Sequence, residues 1–174
     1  MNIRRILVNF IFIIVSFILQ TTLFRALDFG GIAPNVLMIM TSSTAFIKGD
    51  KAGLLTGFFC GLLVDIFFGT YLGFFALIYM YIGFIVGQFS REFFRQNILL
   101  PIILIISGDF VYGFICYVLM FLFRVRLNLP YYMVHVIIPE MIYTTIVAVF
   151  LYPLLMRINN KLEEIEQRSA KKFV

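Results

Sequence analysis

The stretch from Lys51 to Gly73, KAGLLTGFFCGLLVDIFFGTYLG, decides how this chain folds. Gly53, Gly57, Gly61, Asp65, Gly69 and Gly73 recur in it at a strict spacing of four. Positions four apart stack on one helix face, so Gly53, Gly57 and Gly61 form a stripe with almost no side chain. In lipid such a stripe lets another backbone come close, because packing rather than hydrophobicity joins membrane helices. The next step of the stripe is Asp65. An ionisable group on an apolar helix costs about 2.5–3.5 kcal/mol at a helix centre on insertion scales and marks a candidate site. A smooth helix-docking face ending in a carboxylate is therefore the feature to explain.

The whole chain fits a membrane setting. Of its 174 residues, 62% are hydrophobic and 13% charged, with a mean hydropathy of +1.02. A soluble domain is nearer half apolar and a quarter charged. Cys60 and Cys116 lie in apolar segments without metal-ligand spacing, so they read as small packing residues, with no metal and no cofactor expected. The +5 net charge does not point to nucleic acid, because the basic residues sit between apolar segments.

Six such segments can be drawn, at about 6–24, 32–47, 52–68, 72–89, 98–123 and 134–156, each near the ~20 residues that cross the hydrocarbon. The second and third are short enough to lie partly inside a bundle. Arg4 and Arg5 precede the first segment as in a signal peptide, yet no small-residue cleavage site follows, so it reads as a retained span. The fold expected is an all-α membrane protein of six transmembrane helices over residues 1–157, with a cytoplasmic helical tail at 158–174. In that tail Ile158, Leu162 and Ile165 share a face, and Glu164 and Arg168 are spaced as an i,i+4 pair.

Charge sets the orientation. Arg4, Arg5, Lys48, Lys51, Arg91, Arg95, Arg157, Lys161, Arg168, Lys171 and Lys172 fall on one side, and only Arg25, Arg124 and Arg126 on the other. Both termini are therefore expected in the cytoplasm. The outer loops are expected at 25–31, 69–71 and 124–133.

Three carboxylates and one histidine stand out. Asp65 is expected near the outer, already partly negative end of its helix, where it needs a donor or a cation; Arg25, Arg124, Arg126 and His135 are the candidates. It either pins an outer loop or contacts a partner. Asp109, about 16 Å into its span at 1.5 Å per residue, has no Lys or Arg at its depth. It should keep its proton, or be met by hydroxyl groups or water. Glu140 follows Pro139, which frees a backbone carbonyl in the preceding turn, a disruption membranes tolerate only where it is buried in protein. His135 is five residues from Glu140, a poor spacing for facing it. Asp109, His135 and Glu140 together are a candidate intramembrane polar site. Ser42, Ser43, Thr44, Gly83 and Gly87 read as helix-packing positions. No G-x-S-x-G, no Cys–His pairing and no G-x-x-x-x-G-K-[ST] run occurs, which argues against an enzyme or a self-contained ATP-driven machine.

Pro34–Asn35 opening the second segment, the G-x3-G-x3-G-x3-D run, and its continuation through Gly69 to Leu72–Gly73 resemble MreD, the bacterial rod shape-determining membrane family. The resemblance is specific over about 34–87 and elsewhere rests on hydropathy, length and Pro153. It implies a non-enzymatic subunit of the cell-elongation complex in the bacterial cytoplasmic membrane. The partners implied are single-span MreC and, less directly, MreB, the RodA glycan polymerase and a class B penicillin-binding protein. The implied fold is similar to the six-helix substrate-binding (S) subunits of energy-coupling-factor vitamin transporters. Gly53, Gly57, Gly61, Asp65 and Gly73 match the family motif, and with Gly69 they are the residues expected to dock a partner helix. Asp109 and Glu140 match no family motif. Contact with membrane lipid is expected, and self-association is left open.

Two other readings stand beside this one. A vitamin-binding transporter subunit would use an outer pocket of Asp65, His135 and Glu140, but residues 6–24 lack the A-x3-A pattern such subunits carry on the first helix. A proton-coupled carrier or membrane enzyme would use Asp109 and Glu140.

Overall fold

A computed structural model of the chain describes residues 3–27, 31–69, 71–92, 99–124 and 129–171. The described residues are helical almost throughout. The elements are α1 (Ile3–Thr21), α2 (Leu23–Ala26), α3 (Val36–Lys48), α4 (Asp50–Phe68), α5 (Phe74–Glu92), α6 (Leu99–Arg124), α7 (Leu129–Tyr132), a π-helical turn (Met133–Ile137) and α8 (Ile138–Lys171). Four stretches are long and apolar enough to cross a membrane: Arg5–Ala26, Asp50–Phe68, Leu99–Leu119 and Pro130–Ile165. Val36–Lys48 and Phe74–Ser90 are apolar but shorter.

Helix α3 is the centre. It is only 13 residues long, about 20 Å, and every residue from Val36 to Phe46 is buried. Helices α1, α4, α5, α6 and α8 all pack on it. That explains how Thr41, Ser42, Ser43 and Thr44 can occupy a helix of an apolar chain: they face protein, not lipid. The outer helices invert the usual pattern of a soluble protein. Leu7, Phe10, Ile11, Ile14, Val15 and Ile18 of α1 are exposed, as are Ile142, Ile146, Val149, Phe150 and Leu154 of α8. A continuous apolar exterior of this kind has lipid as its solvent.

The turns depart from the sequence reading in three places. The loop expected at 25–31 begins with a short helical turn, α2, after a break at Thr22, whose hydroxyl bonds back to the Ile18 carbonyl at 2.5 Å. The loop expected at 124–133 gives way to helix from Leu129, since Pro130 suits a first helical turn where its missing N–H costs nothing. The fourth apolar segment becomes helix only at Phe74, as α5, rather than at Leu72, because Gly73 sits at φ +98°, outside helical geometry.

The backbone before Pro139 departs from α-helix, but of that turn only Ile137 is buried in protein, where burial throughout was expected. The turn is π-helical, with the Ile138 N–H reaching the Met133 carbonyl. Helix α8 then runs on through Pro153 to Lys171. The side chains of Arg124, Arg126 and Arg168, which the sequence offered as partners for Asp65 and Glu164, lie outside the described residues.

Candidate functional site

The glycine stripe is covered by the chain itself. Helices α4 and α5 form an antiparallel hairpin with the largest helix–helix contact in the molecule. A methyl group at Gly53 would overlap Ala45 of α3 and the Gly83 carbonyl of α5. At Gly57 it would strike the Tyr79 backbone, and at Gly61 the backbone of Phe75 and Ala76. Gly83 and Gly87 answer from the other side, against the backbone of Gly53 and of Asp50. Two helices touch backbone to backbone along five glycines. The expectation that this stripe docks a partner's span is therefore corrected: α5 occupies the face, and a second helix cannot share it.

Asp65 closes the hairpin. It is 3% exposed, and its carboxylate accepts from the backbone N–H groups of Gly73 at 3.0 Å, Phe75 at 2.8 Å and Ala76 at 3.0 Å. These are the amide just before α5 and two of its first turn, and none has a partner within that helix. The positive end of the α5 dipole supplies the electrostatics for which the sequence had offered arginines and a histidine. Gly69 lets the chain leave α4 close to the Asp65 backbone, where a side chain would clash. Gly73, with its positive φ, aims the α5 amides back at the carboxylate. The four-residue period thus encodes one object, a helix–turn–helix clamp with its own cap.

A second polar site lies in the bundle centre, around Asn35. Its Oδ1 accepts from the Met38 N–H at 3.1 Å, capping α3, and from the Tyr79 hydroxyl at 2.7 Å. Its own backbone N–H donates to Thr144 Oγ1 at 3.0 Å. Gln20 of α1 accepts from the next free amide of α3, Leu37, at 2.9 Å. One residue thereby ties α3 to α5 and α8. The sequence presented Asn35 only as part of a resemblance; an Asn directly before an apolar run was a legible cap signal. Nothing in the sequence pointed to Tyr79 or Thr144.

Asp109 of α6 is 3% exposed and lies beside Asn35 and Thr144, close enough for both to bear on its carboxylate, yet neither oxygen makes a hydrogen bond of good geometry among the described residues. Glu140 of α8 is close enough for the two carboxyls to act on each other. Of the three residues grouped from sequence as an intramembrane site, only these two lie within electrostatic range of each other among the described residues. His135 is exposed and stacked on Tyr131, with ring centroids 4.1 Å apart and Nδ1 3.0 Å from the Tyr131 carbonyl. It is engaged within its own turn. The outer pocket of Asp65, His135 and Glu140 does not form, because Asp65 is spent on α5 and His135 faces outward. Among the described residues no group of three or more His, Cys, Asp or Glu could hold a metal ion.

Lys48 and Lys51, at the α3–α4 junction, share a cavity with Arg5 of α1 and Glu163 of α8. The start of α1, that junction and the far part of α8 therefore lie at one end of the bundle.

No curated protein and no solved structure matches the chain. The family described as rod shape-determining protein MreD matches residues 2–162, nearly the whole sequence and all of the hairpin. With an all-helical bundle of lipid-facing helices around that motif, this chain belongs to the MreD family, a family of bacterial membrane proteins that determine rod shape.

Proposed function

We propose that the protein is a non-catalytic scaffold of the cell-elongation complex, which holds a single-span MreC-like protein in the membrane. Through that partner it is linked to MreB, to RodA and to a class B penicillin-binding protein, and so to peptidoglycan synthesis. The family match over residues 2–162 carries this reading. In it the helices α1, α3, α4, α5, α6 and α8 all cross the membrane, α3 being short because protein rather than lipid surrounds it. Both termini face the cytoplasm, a reading supported by the excess of Lys and Arg at the end that gathers Arg5, Lys48 and Lys51.

The hairpin serves the partner indirectly. Gly53, Gly57, Gly61, Asp65, Gly69 and Gly73 hold α5 rigid, and α5 turns outward a ridge of Leu77, Tyr81, Ile85 and Phe89 at four-residue spacing, all exposed. A fixed apolar ridge packs against a single transmembrane helix without paying to order itself.

Detergent co-purification with the host's own MreC-like protein tests this. Tyr81→Ala with Ile85→Ala should weaken retention about tenfold, as truncation of packed interface side chains does, while leaving the thermal midpoint of the chain in place. Full retention by this double variant would reject the ridge. A parent chain that captures no partner would reject the scaffold.

A further inference from the structure

The cavity at the charged end of the bundle has a volume of about 410 Å³ and is built from two unlike halves. One part of its lining carries Arg5, Lys48 and Lys51, together with Asn9, Thr56 and Glu163 as the one carboxylate. Lys48 Nζ is placed by Asn9 Oδ1 at 3.5 Å, and Asn9 Nδ2 in turn donates to Thr56 at 2.8 Å. The lining thus sets three basic side chains against one carboxylate. The cavity also touches Lys51 and Ala52 in the first turn of α4, whose amides point to that end. The other part is apolar: Ile6, Phe10, Leu55 and Phe59 line it and are exposed, with Phe10 and Phe59 edge to face at 6.1 Å.

We propose that this cavity seats an anionic glycerophospholipid. Its phosphate lies among Arg5, Lys48, Lys51 and the α4 amides, and an acyl chain runs along Ile6, Phe10, Leu55 and Phe59. The charge selects an anion, and a helix N-terminus adds to that selection. The apolar wall decides between a soluble phosphate and a lipid. Four large exposed hydrophobic side chains next to the cations are of no use to a free ion, whereas a lipid covers both halves at once. The ligand would bridge α1 to the α3–α4 junction, joining the first helix to the hairpin.

Native mass spectrometry of the full chain, released from micelles containing phosphatidylglycerol or phosphatidylcholine with the same acyl chains, reads this directly. The parent should retain phosphatidylglycerol at least tenfold better. Lys51→Gln, at an exposed position, should lower that retention about fivefold, and Lys48→Gln with Lys51→Gln about twenty-fivefold, at the usual value of a basic residue facing an anionic lipid. Arg157→Gln with Lys161→Gln removes the same charge from exposed positions of α8 outside the cavity, and should change nothing. Equal retention of the two lipids by the parent would overturn the proposal. So would equal losses from the two double variants, or displacement of the lipid by millimolar inorganic phosphate.

Discussion

The hairpin of α4 and α5 and the crossing of α3, α6 and α8 are both buried and both polar, but they are finished differently. In the hairpin the buried carboxylate is fully met: Asp65 accepts from three amides, and those amides would otherwise be orphans of the α5 terminus. At the crossing, Asn35 accepts two hydrogen bonds and its backbone amide donates a third, while both oxygens of Asp109 and the hydroxyls of Ser42 and Ser43 make no hydrogen bond of good geometry among the described residues. A buried polar group with partners stabilises a structure and one without them is a cost. The hairpin is therefore the part of the molecule optimised for rigidity. The crossing carries polar groups that stability alone does not explain.

The largest effect should come from filling the stripe. Gly57→Leu places a branched side chain into the Tyr79 backbone, which cannot move aside as a side chain could. The hairpin must separate, at a cost of about 3 kcal/mol or more for overpacking against backbone. Thermal unfolding in detergent should show a large fall in midpoint, and partner retention should fall with it. A normal midpoint for Gly57→Leu would mean that α4 and α5 are not packed as described.

The two buried aspartates should respond in opposite directions. Asp65→Ala strips three amides of their acceptor and should cost about 2–3 kcal/mol, the range for hydrogen bonds to a charged group. Asp65→Asn keeps an acceptor oxygen and should recover part of the loss. Asp109→Asn removes a buried carboxyl to which neither Asn35 nor Thr144 makes a hydrogen bond of good geometry, so the fold should be unharmed or gain about 1 kcal/mol. The same thermal series reads all three. If Asp109→Asn destabilises as much as Asp65→Ala, the crossing is as structural as the hairpin and the contrast between them fails.

Legibility in the sequence followed the same division. The hairpin was readable because its constraint is local and periodic: backbone contact requires glycine every fourth residue, and the carboxylate falls on the same period. The occupant was not readable. A small-residue stripe states that a helix comes close without saying whose, and here the answer lay 14–30 residues downstream, at Phe75, Ala76, Tyr79 and Gly83. The donors for Asp65 escaped notice because they are backbone amides, which carry no residue signature. The crossing was nearly invisible, since Asn35, Tyr79, Asp109 and Thr144 come from four helices and meet only when the bundle closes. Only the depth of Asp109 in an apolar run gave a sign of it.

The smallest effect separates close approach from mere enclosure. Gly53 and Gly108 are both buried, but what surrounds them differs. At Gly53 an added methyl meets a backbone carbonyl and the Ala45 side chain, whereas at Gly108 it lies 3.1 Å from the Ile82 Cγ2 methyl and 3.4 Å from Ser42 Oγ, both on side chains. Alanine also gains about 1 kcal/mol over glycine in a helix interior. At Gly108 that gain offsets a slight crowding that Ile82 can absorb by a few tenths of an ångström, so Gly108→Ala should change stability by less than about 1 kcal/mol in either direction. At Gly53 the gain is overrun by contact with backbone, and Gly53→Ala should destabilise by about 1–3 kcal/mol. Equal, small effects at both sites would mean that α4 and α5 can part slightly without penalty, and the hairpin would lose its claim to be the rigid half of the molecule.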